Sequence, residues 1–132
     1  LLNLEFLEAA SAALQRMCNE IGASYVSSVI SNGTEWPADI ESFVREHRIR
    51  QVQISFDGLE HNHNKRRRYR KPRELGERSS FEKTVDTVDR LTRLVRVDVR
   101  LNLDRKNTSD LVPFIHFAKN RGWFEGAFPA VF

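Results

Sequence analysis

Stretches with the pattern of β-strands alternate with stretches that have the pattern of amphipathic helices, and this order limits the folds open to the chain. The clearest strand spans 95–103, where an apolar residue occupies every second position. Two more strands are predicted at 23–30 and 51–56, and each runs into a turn sequence. Apolar stripes predict helices at 4–21, 38–47, about 82–94 and 110–120, and a final strand is predicted at 127–132. Strands and helices in alternation, joined by right-handed crossovers, predict an α/β fold with a parallel sheet.

Length and composition indicate one domain in a reducing compartment. A chain of 132 residues with 40% hydrophobic residues can bury one core, so we expect a single domain over 1–132. The single cysteine excludes a disulfide framework and a metal cluster held only by thiolates of this sequence. No apolar run reaches the roughly 18 residues of a membrane helix, and no signal peptide is seen. We therefore expect a cytoplasmic protein without a membrane partner.

The predicted strand 51–56 ends in residues that could bind a ligand. Ser55 and Asp57 lie two positions apart, on one face of the strand at its carboxyl end. Gly58 follows and marks a turn that tolerates a positive φ. Ligands of α/β proteins bind at the carboxyl ends of strands, which makes Ser55 and Asp57 candidate site residues. The same S-x-D-G pattern also ends buried strands that have no binding role.

Residues 59–78 form a polar stretch without periodicity, which predicts a functional or mobile loop. Seven cations crowd part of it: Lys65, Arg66, Arg67, Arg68, Arg70, Lys71 and Arg73. Removing these seven charges from the net charge of +3 leaves −4, so the basic character is local. Such a cluster can neutralise phosphates, and a nucleic-acid-binding module is the alternative function, although a solvated loop is the simpler interpretation. His61 and His63 lack a clear third ligand, so we do not expect a metal site there.

The predicted strand ends carry motifs of a known family. Their sequences are ISNGT at 30–34, ISFDG at 54–58 and RLNLDRKN at 100–107. This set resembles the radical S-adenosylmethionine (radical SAM) superfamily, especially the sulfatase-maturase-like branch that modifies peptides and proteins. In that family T-N-G ends the third strand, and S-x-D-G ends the fourth, followed by a His and an Arg at the offsets of His63 and Arg67. The fifth strand of the family carries a basic residue and two asparagines, which Arg100, Asn102 and Asn107 match.

The resemblance implies a partial (β/α)6 barrel and a set of cofactor-binding residues. In the family, the S-x-D serine and the later arginine contact S-adenosylmethionine, which points to Ser55 and Arg67. A basic side chain on the fifth strand pairs with the carboxylate of the cofactor, which points to Arg100. The T-N-G position places Ser31 and Asn32 beside the site.

The sequence also departs from the family. The C-x3-C-x2-C motif that holds the four-iron four-sulfur (4Fe-4S) cluster and the G-G-E-P motif of the second strand are absent, and Cys18 stands alone. Residues 1–7 resemble the segment that follows G-G-E-P, so we expect the central part of a radical SAM oxidoreductase, from the second helix through the sixth strand. The full-length protein would use S-adenosylmethionine and the cluster to start radical chemistry on a substrate, with peptides and proteins as one class.

The missing family motifs lead to two further expectations. The 132-residue chain alone is expected to hold neither cofactor and to be inactive, because one cysteine cannot ligate the cluster. Without its neighbours, the strand near 24–30 would form an exposed edge of the sheet, and we expect self-association through that edge.

Overall fold

A parallel sheet of three strands forms the centre of the structure, a computed structural model that describes residues 3–68 and 76–132. The strands are β1 (Ser27–Ser31), β2 (Ile49–Phe56) and β3 (Arg96–Leu101). The helices are α1 (Leu4–Glu20), α2 (Ile40–Glu46), α3 (Glu60–Arg66), α4 (Ser80–Leu91) and α5 (Leu111–Asn120), with a 3-10 turn at Thr108–Asp110. The α/β class and the parallel pairing predicted from the sequence are confirmed. In the described ranges, no helix combines the length and apolar character needed to cross a membrane.

The strands lie in the order β1-β2-β3, so strands that follow one another in sequence are neighbours in the sheet. Right-handed crossovers between strands in this order place successive helices on the same face. That face is apolar, with Val52, Ile54 and Val97 fully buried. Buried side chains of α2, α4 and α5 belong to the same core. The carboxyl ends of the strands therefore meet at one edge of a sheet whose helices cover the apolar face.

The opposite face of the sheet is polar in β2 and β3, while β1 adds the exposed Ile30 to it. Gln53 and Ser55 of β2 are half-buried, and Arg100 of β3 is exposed. The register places Gln53 beside Asp98 and Ser55 beside Arg100, so these side chains share one face. This polar face, and not the apolar one, carries the candidate residues of β2 and β3.

The segment predicted as an unstructured loop contains helix α3, so that prediction is wrong for residues 60–66. The helix has only seven residues and its start lacks a side-chain cap. Contacts with the rest of the fold hold it instead: His63 is buried, and the Phe81 backbone N–H donates to Asn64 Oδ1 at 3.0 Å. Three cations of the predicted basic cluster, Arg70, Lys71 and Arg73, lie outside the described residues.

Several boundaries and burial predictions also need correction. Strand β3 ends at Leu101, and Leu103 is 39% exposed. The predicted final strand is reduced to one parallel bridge between Val131 and Asp98. His47, the last residue of the helix predicted at 38–47, follows α2 as its C-cap and is buried. On α5, Ile115 faces outward while its neighbour in sequence, Phe114, is fully buried.

An aromatic cluster fixes the end of β2. The Phe56 ring lies 5.0 Å from Phe114, 5.5 Å from His63 and 5.8 Å from both Phe81 and Trp123, measured between ring centroids. Edge-to-face and tilted contacts of this kind add to the free energy of burial. Because Phe56 immediately precedes Asp57, the packing of this ring sets the position of the residues at the strand end.

Candidate functional site at the carboxyl end of the sheet

Asp57 is the centre of a hydrogen-bonded cluster just beyond β2. Its Oδ2 accepts a hydrogen bond from Arg67 Nε at 2.5 Å, and its Oδ1 accepts one from Asn102 Nδ2 at 2.9 Å. Its backbone carbonyl accepts a third from Asn107 Nδ2 at 2.9 Å. The cluster therefore joins the end of β2 to the residue after α3 and to the loop after β3. The structure thus brings Arg67, Asn102 and Asn107 of the sequence motifs together around one residue, Asp57.

The Asp57 carboxylate remains ionised in this setting. Partial burial raises its pKa, but the hydrogen bonds from Arg67 and Asn102 and the positive charge of Arg67 outweigh burial and lower the pKa below the usual value. The ion pair is largely withdrawn from solvent, since the Arg67 and Asp57 side chains are 21% and 14% exposed. Arg67 is thus held in place by a permanent negative charge.

A buried histidine, His63, forms a hydrogen bond with the same strand end. The ring is fully buried, and its Nδ1 accepts a hydrogen bond from the Asp57 backbone N–H at 3.3 Å. A ring nitrogen that accepts from an N–H carries no proton, so the proton lies on Nε2, which is 3.2 Å from Ser80 Oγ. Burial, and secondarily the charge of Arg67, lowers the pKa of His63 to about 4, against the smaller opposite effect of Asp57. His63 is therefore neutral at pH 7 and links β2 to the start of α4.

The turn at Gly58 is closed by a residue that sequence reasoning missed. Asp110 Oδ2 accepts hydrogen bonds from the Leu59 backbone N–H at 2.8 Å and from Asn62 Nδ2 at 2.9 Å. Gly58 has a φ of 105°, and a Cβ placed there would lie 2.3 Å from the same oxygen. The position therefore requires glycine. In the sequence Asp110 is only the first residue of the helix predicted at 110–120, so no local motif identifies its long-range role.

Ser31 and Asn32 lie at the end of β1 but do not join Ser55. Ser31 is in register with Ile54, which places it on the apolar face, whereas Ser55 lies on the polar face. The Ser31 hydroxyl accepts hydrogen bonds from the Gly33 backbone N–H at 3.0 Å and from Trp36 Nε1 at 3.3 Å.

Asn32 is exposed, and its side chain stabilises the turn in which it lies. Its Oδ1 accepts hydrogen bonds from the Thr34 backbone N–H at 3.2 Å and from the Thr34 hydroxyl at 3.0 Å. Ser31 and Asn32 therefore make local contacts within the turn after β1. Ser31 lies on the apolar face, so it stabilises this turn and does not line the polar face.

Ser55 and Arg100 form the open part of the site. They are direct partners in the register of β2 and β3 and project from the same face. Arg100 is exposed and donates from Nε to Asn102 Oδ1 at 3.1 Å, which links it to the Asp57 cluster. Among the described residues, no side chain forms a hydrogen bond with the Ser55 hydroxyl. A free hydroxyl beside a guanidinium can bind a ligand that carries a hydroxyl and an anionic group.

The described residues do not provide a metal centre. In the ranges 3–68 and 76–132, no group of three or more His, Cys, Asp or Glu side chains could hold a metal ion. Cys18 lies on α1 and is partly exposed. His61 is exposed, and both ring nitrogens of His63 are already within hydrogen-bond distance of protein atoms. The described residues, with one cysteine among them, therefore do not fit an iron–sulfur cluster.

Comparisons of the chain with models of protein families and with curated proteins gave no match.

Proposed function

We propose that this chain forms the cofactor-facing part of a radical SAM core and that the full-length protein reductively cleaves S-adenosylmethionine. The observation that supports this proposal is the placement of Ser55 and Arg100. They lie side by side on the polar face of a parallel sheet, near the carboxyl ends of β2 and β3. The Asp57 cluster adjoins them. The motif resemblance at all three strand ends predicts a cofactor site at this place.

The sheet topology favours a partial (β/α)6 barrel as the complete architecture. Barrels have sequential parallel strands with helices on the outside and side chains of the opposite face in the interior. The order β1-β2-β3, the apolar face packed by helices and the polar face with Gln53, Ser55 and Arg100 all fit this arrangement. A doubly wound sheet would instead bury both faces.

The side chains present suggest a division of roles in cofactor binding. The Ser55 hydroxyl would bond a ribose hydroxyl, and the Arg100 guanidinium would pair with the methionine carboxylate. Arg67 bonds Asp57 through Nε, so its terminal nitrogens remain available to the ligand while Asp57 fixes its orientation. Ser31 and Asn32 would hold the neighbouring turn.

The cluster and S-adenosylmethionine would together supply the radical that acts on the substrate. Because the sequence has one cysteine, the cluster thiolates must come from outside these 132 residues. The 132-residue chain alone is therefore expected to bind no iron and to leave S-adenosylmethionine intact. We propose no particular substrate, since the chain gives only the resemblance to a branch that acts on peptides and proteins.

The test is cleavage of S-adenosylmethionine by the full-length protein, purified anaerobically and loaded with iron and sulfide. We expect 5′-deoxyadenosine to form under reducing conditions. Arg100→Gln should raise the S-adenosylmethionine concentration needed for half-maximal cleavage by about tenfold, and Ser55→Ala by less. Arg105→Gln, which changes an exposed arginine in the loop after β3, is the control and should leave cleavage unchanged. A full-length protein that lacks C-x3-C-x2-C, or that holds the cluster without cleaving the cofactor, would refute the proposal.

The alternative function, nucleic-acid binding, has less support from the described residues. Arg66 donates to Asp104 at 2.7 Å, and Arg67 is paired with Asp57, so two cations of the cluster already have acidic partners. We therefore expect only weak oligonucleotide binding. Tight binding with a steep dependence on salt would favour the nucleic-acid module instead.

A further inference from the structure

A cavity lies at the end of the sheet opposite the site described above. It has a volume of about 640 Å³ and is bordered by residues at the amino-terminal ends of the strands. Six lining residues matter here: Tyr25, Arg45, Arg48, Arg50, Leu94 and Phe128. The volume lies within the range of roughly 300–1,000 Å³ that is typical of small-molecule sites. Three arginines and one carboxylate, that of Glu41, line the cavity, so its net charge is positive. The proposed radical SAM function does not use this charge.

The backbone at Arg48 has an unusual conformation. Helix α2 ends at Glu46 with His47 as the C-cap, so Arg48 occupies the next position, which commonly adopts a left-handed conformation. Its φ is 49°, and among the described residues it is the only non-glycine residue with a positive φ. Glycine is the usual residue in such a position because a Cβ is disfavoured there.

Two hydrogen bonds from Ser27 of β1 hold the backbone in this conformation. The Ser27 backbone N–H donates to the Arg48 carbonyl at 3.1 Å, and the Ser27 hydroxyl donates to the His47 carbonyl at 2.7 Å. An arginine therefore stands where the backbone favours glycine. A residue held in an unfavourable conformation is a reason to look for a role of its side chain.

The charges in the cavity favour an anion with more than one negative charge. Arg45 is paired with Glu41 at 2.8 Å. Neither Arg48 nor Arg50 takes part in a salt bridge within the described part of the chain. Two guanidinium groups without acidic partners suit phosphate oxygens, which arginine binds in a bidentate manner. Leu94 and Phe128 add an apolar wall, and Phe128 is 40% exposed.

We propose that this cavity binds a diphosphate-bearing anion through Arg48 and Arg50, with Arg45 as a further contact. The shared chemistry is the diphosphate, which could come from a nucleoside diphosphate or from inorganic pyrophosphate. The cavity would act independently of the proposed cofactor site, since the two lie at opposite ends of the strands.

The test is isothermal titration of the purified protein with ADP and, separately, with inorganic pyrophosphate at low salt. We expect saturable binding that weakens as salt is added. Arg48→Gly and Arg50→Gln should each weaken binding by about tenfold or more. Arg48→Gly should keep or raise the melting temperature, because glycine suits the local φ. The control Arg105→Gln removes one exposed positive charge from the loop at the opposite end and should bind like the original protein.

The outcomes separate the possible ligands. Tighter binding of ADP than of pyrophosphate supports a nucleotide whose base contacts the Leu94 and Phe128 wall. Equal binding supports an inorganic diphosphate. Absence of binding by both, or binding that Arg48→Gly and Arg50→Gln do not weaken, overturns the proposal. Arginine-dependent binding of an acidic peptide in place of both diphosphates would overturn it in favour of a protein partner.

Discussion

Arg67 donates from Nε to the Asp57 carboxylate at 2.5 Å, and this ion pair connects the end of β2 to the residue that follows α3. The two side chains are mostly buried, so water would compensate each charge only in part if its partner were removed. The same carboxylate accepts a hydrogen bond from Asn102 in the loop after β3. One ionised group therefore holds the ends of two strands and the turn that carries Arg67.

Replacing Asp57 by Asn should destabilise the protein by about 2 kcal/mol, because it leaves Arg67 without its charged partner. Urea denaturation at pH 7 measures this loss. The control is Glu41→Gln, which breaks the pair with Arg45, whose two side chains are 64% and 74% exposed. Exposed pairs contribute little, so the control should change the unfolding free energy by no more than about 0.5 kcal/mol. Equal losses of unfolding free energy in the two variants would contradict the prediction that the Asp57–Arg67 pair stabilises the fold more than the exposed Glu41–Arg45 pair.

Much of the fold could be predicted from the sequence because local pattern and burial agree. In β2, the alternating residues Val52, Ile54 and Phe56 are all fully buried, as their period of two predicts. Helix α3 could not be predicted in this way. It has no apolar stripe, and it is held by long-range contacts of His63 and Asn64 that no local pattern records.

The candidate site was predictable in position but not in arrangement. The strand-end motifs place candidate residues at one edge of the sheet. In the structure Ser55 and Arg100 are partners in register near that edge, and Arg67 bonds Asp57 just beyond it. The face on which a strand residue lies depends on its register with the next strand, and a shift by one residue reverses it. That is why Ser31 and Ser55, each placed at a strand end by its motif, point to opposite faces.

The buried His63 should make stability depend on pH. Its pKa is about 4 in the folded protein and about 6.5 when unfolded, so the unfolded state binds more protons between these values. The contribution of His63 to the free energy of unfolding is fully present above pH 6.5. It falls as the pH drops toward 4, at up to about 1.4 kcal/mol per pH unit. Denaturation curves between pH 7 and pH 4 should show this slope in the original protein.

Two variants identify the group responsible for that slope. His63→Gln cannot titrate, so its unfolding free energy should fall less steeply than that of the original protein over the same range. His61→Gln alters an exposed histidine on the same helix and should keep the original slope. An unchanged slope in His63→Gln would show that other groups cause the pH dependence.

Glycine at position 58 should be among the least replaceable residues of the site. Gly58→Ala combines a positive φ with a Cβ 2.3 Å from Asp110 Oδ2, and we expect a loss of about 3 kcal/mol or more. The control is Gly76→Ala, where φ is also positive but a Cβ would have no heavy atom of the described residues within 4 Å. This variant should lose only about 1 kcal/mol from the backbone conformation. Equal losses would show that the close approach of Asp110 is unimportant.

The edge of the sheet at β1 should promote association between copies of the chain. Within the described residues β1 pairs only with β2, so its other side presents unpaired backbone groups. Ile30 on this strand is 76% exposed, and on α1 Met17 and Phe6 are 60% and 70% exposed. An apolar edge with unpaired groups favours strand pairing with a second molecule, so we expect a dimer or larger species at micromolar concentration.

Sedimentation velocity of the 132-residue chain and two lysine variants tests this expectation. Ile30→Lys places a charge on the edge strand and should shift the population toward monomer, because charged edge residues oppose strand pairing. Val112→Lys adds the same charge at a residue of α5 that is 60% exposed, and it should leave the association unchanged. If the original chain sediments as a monomer, the β1 edge does not pair with a second copy. If both variants dissociate equally, net charge and not the strand edge controls the assembly.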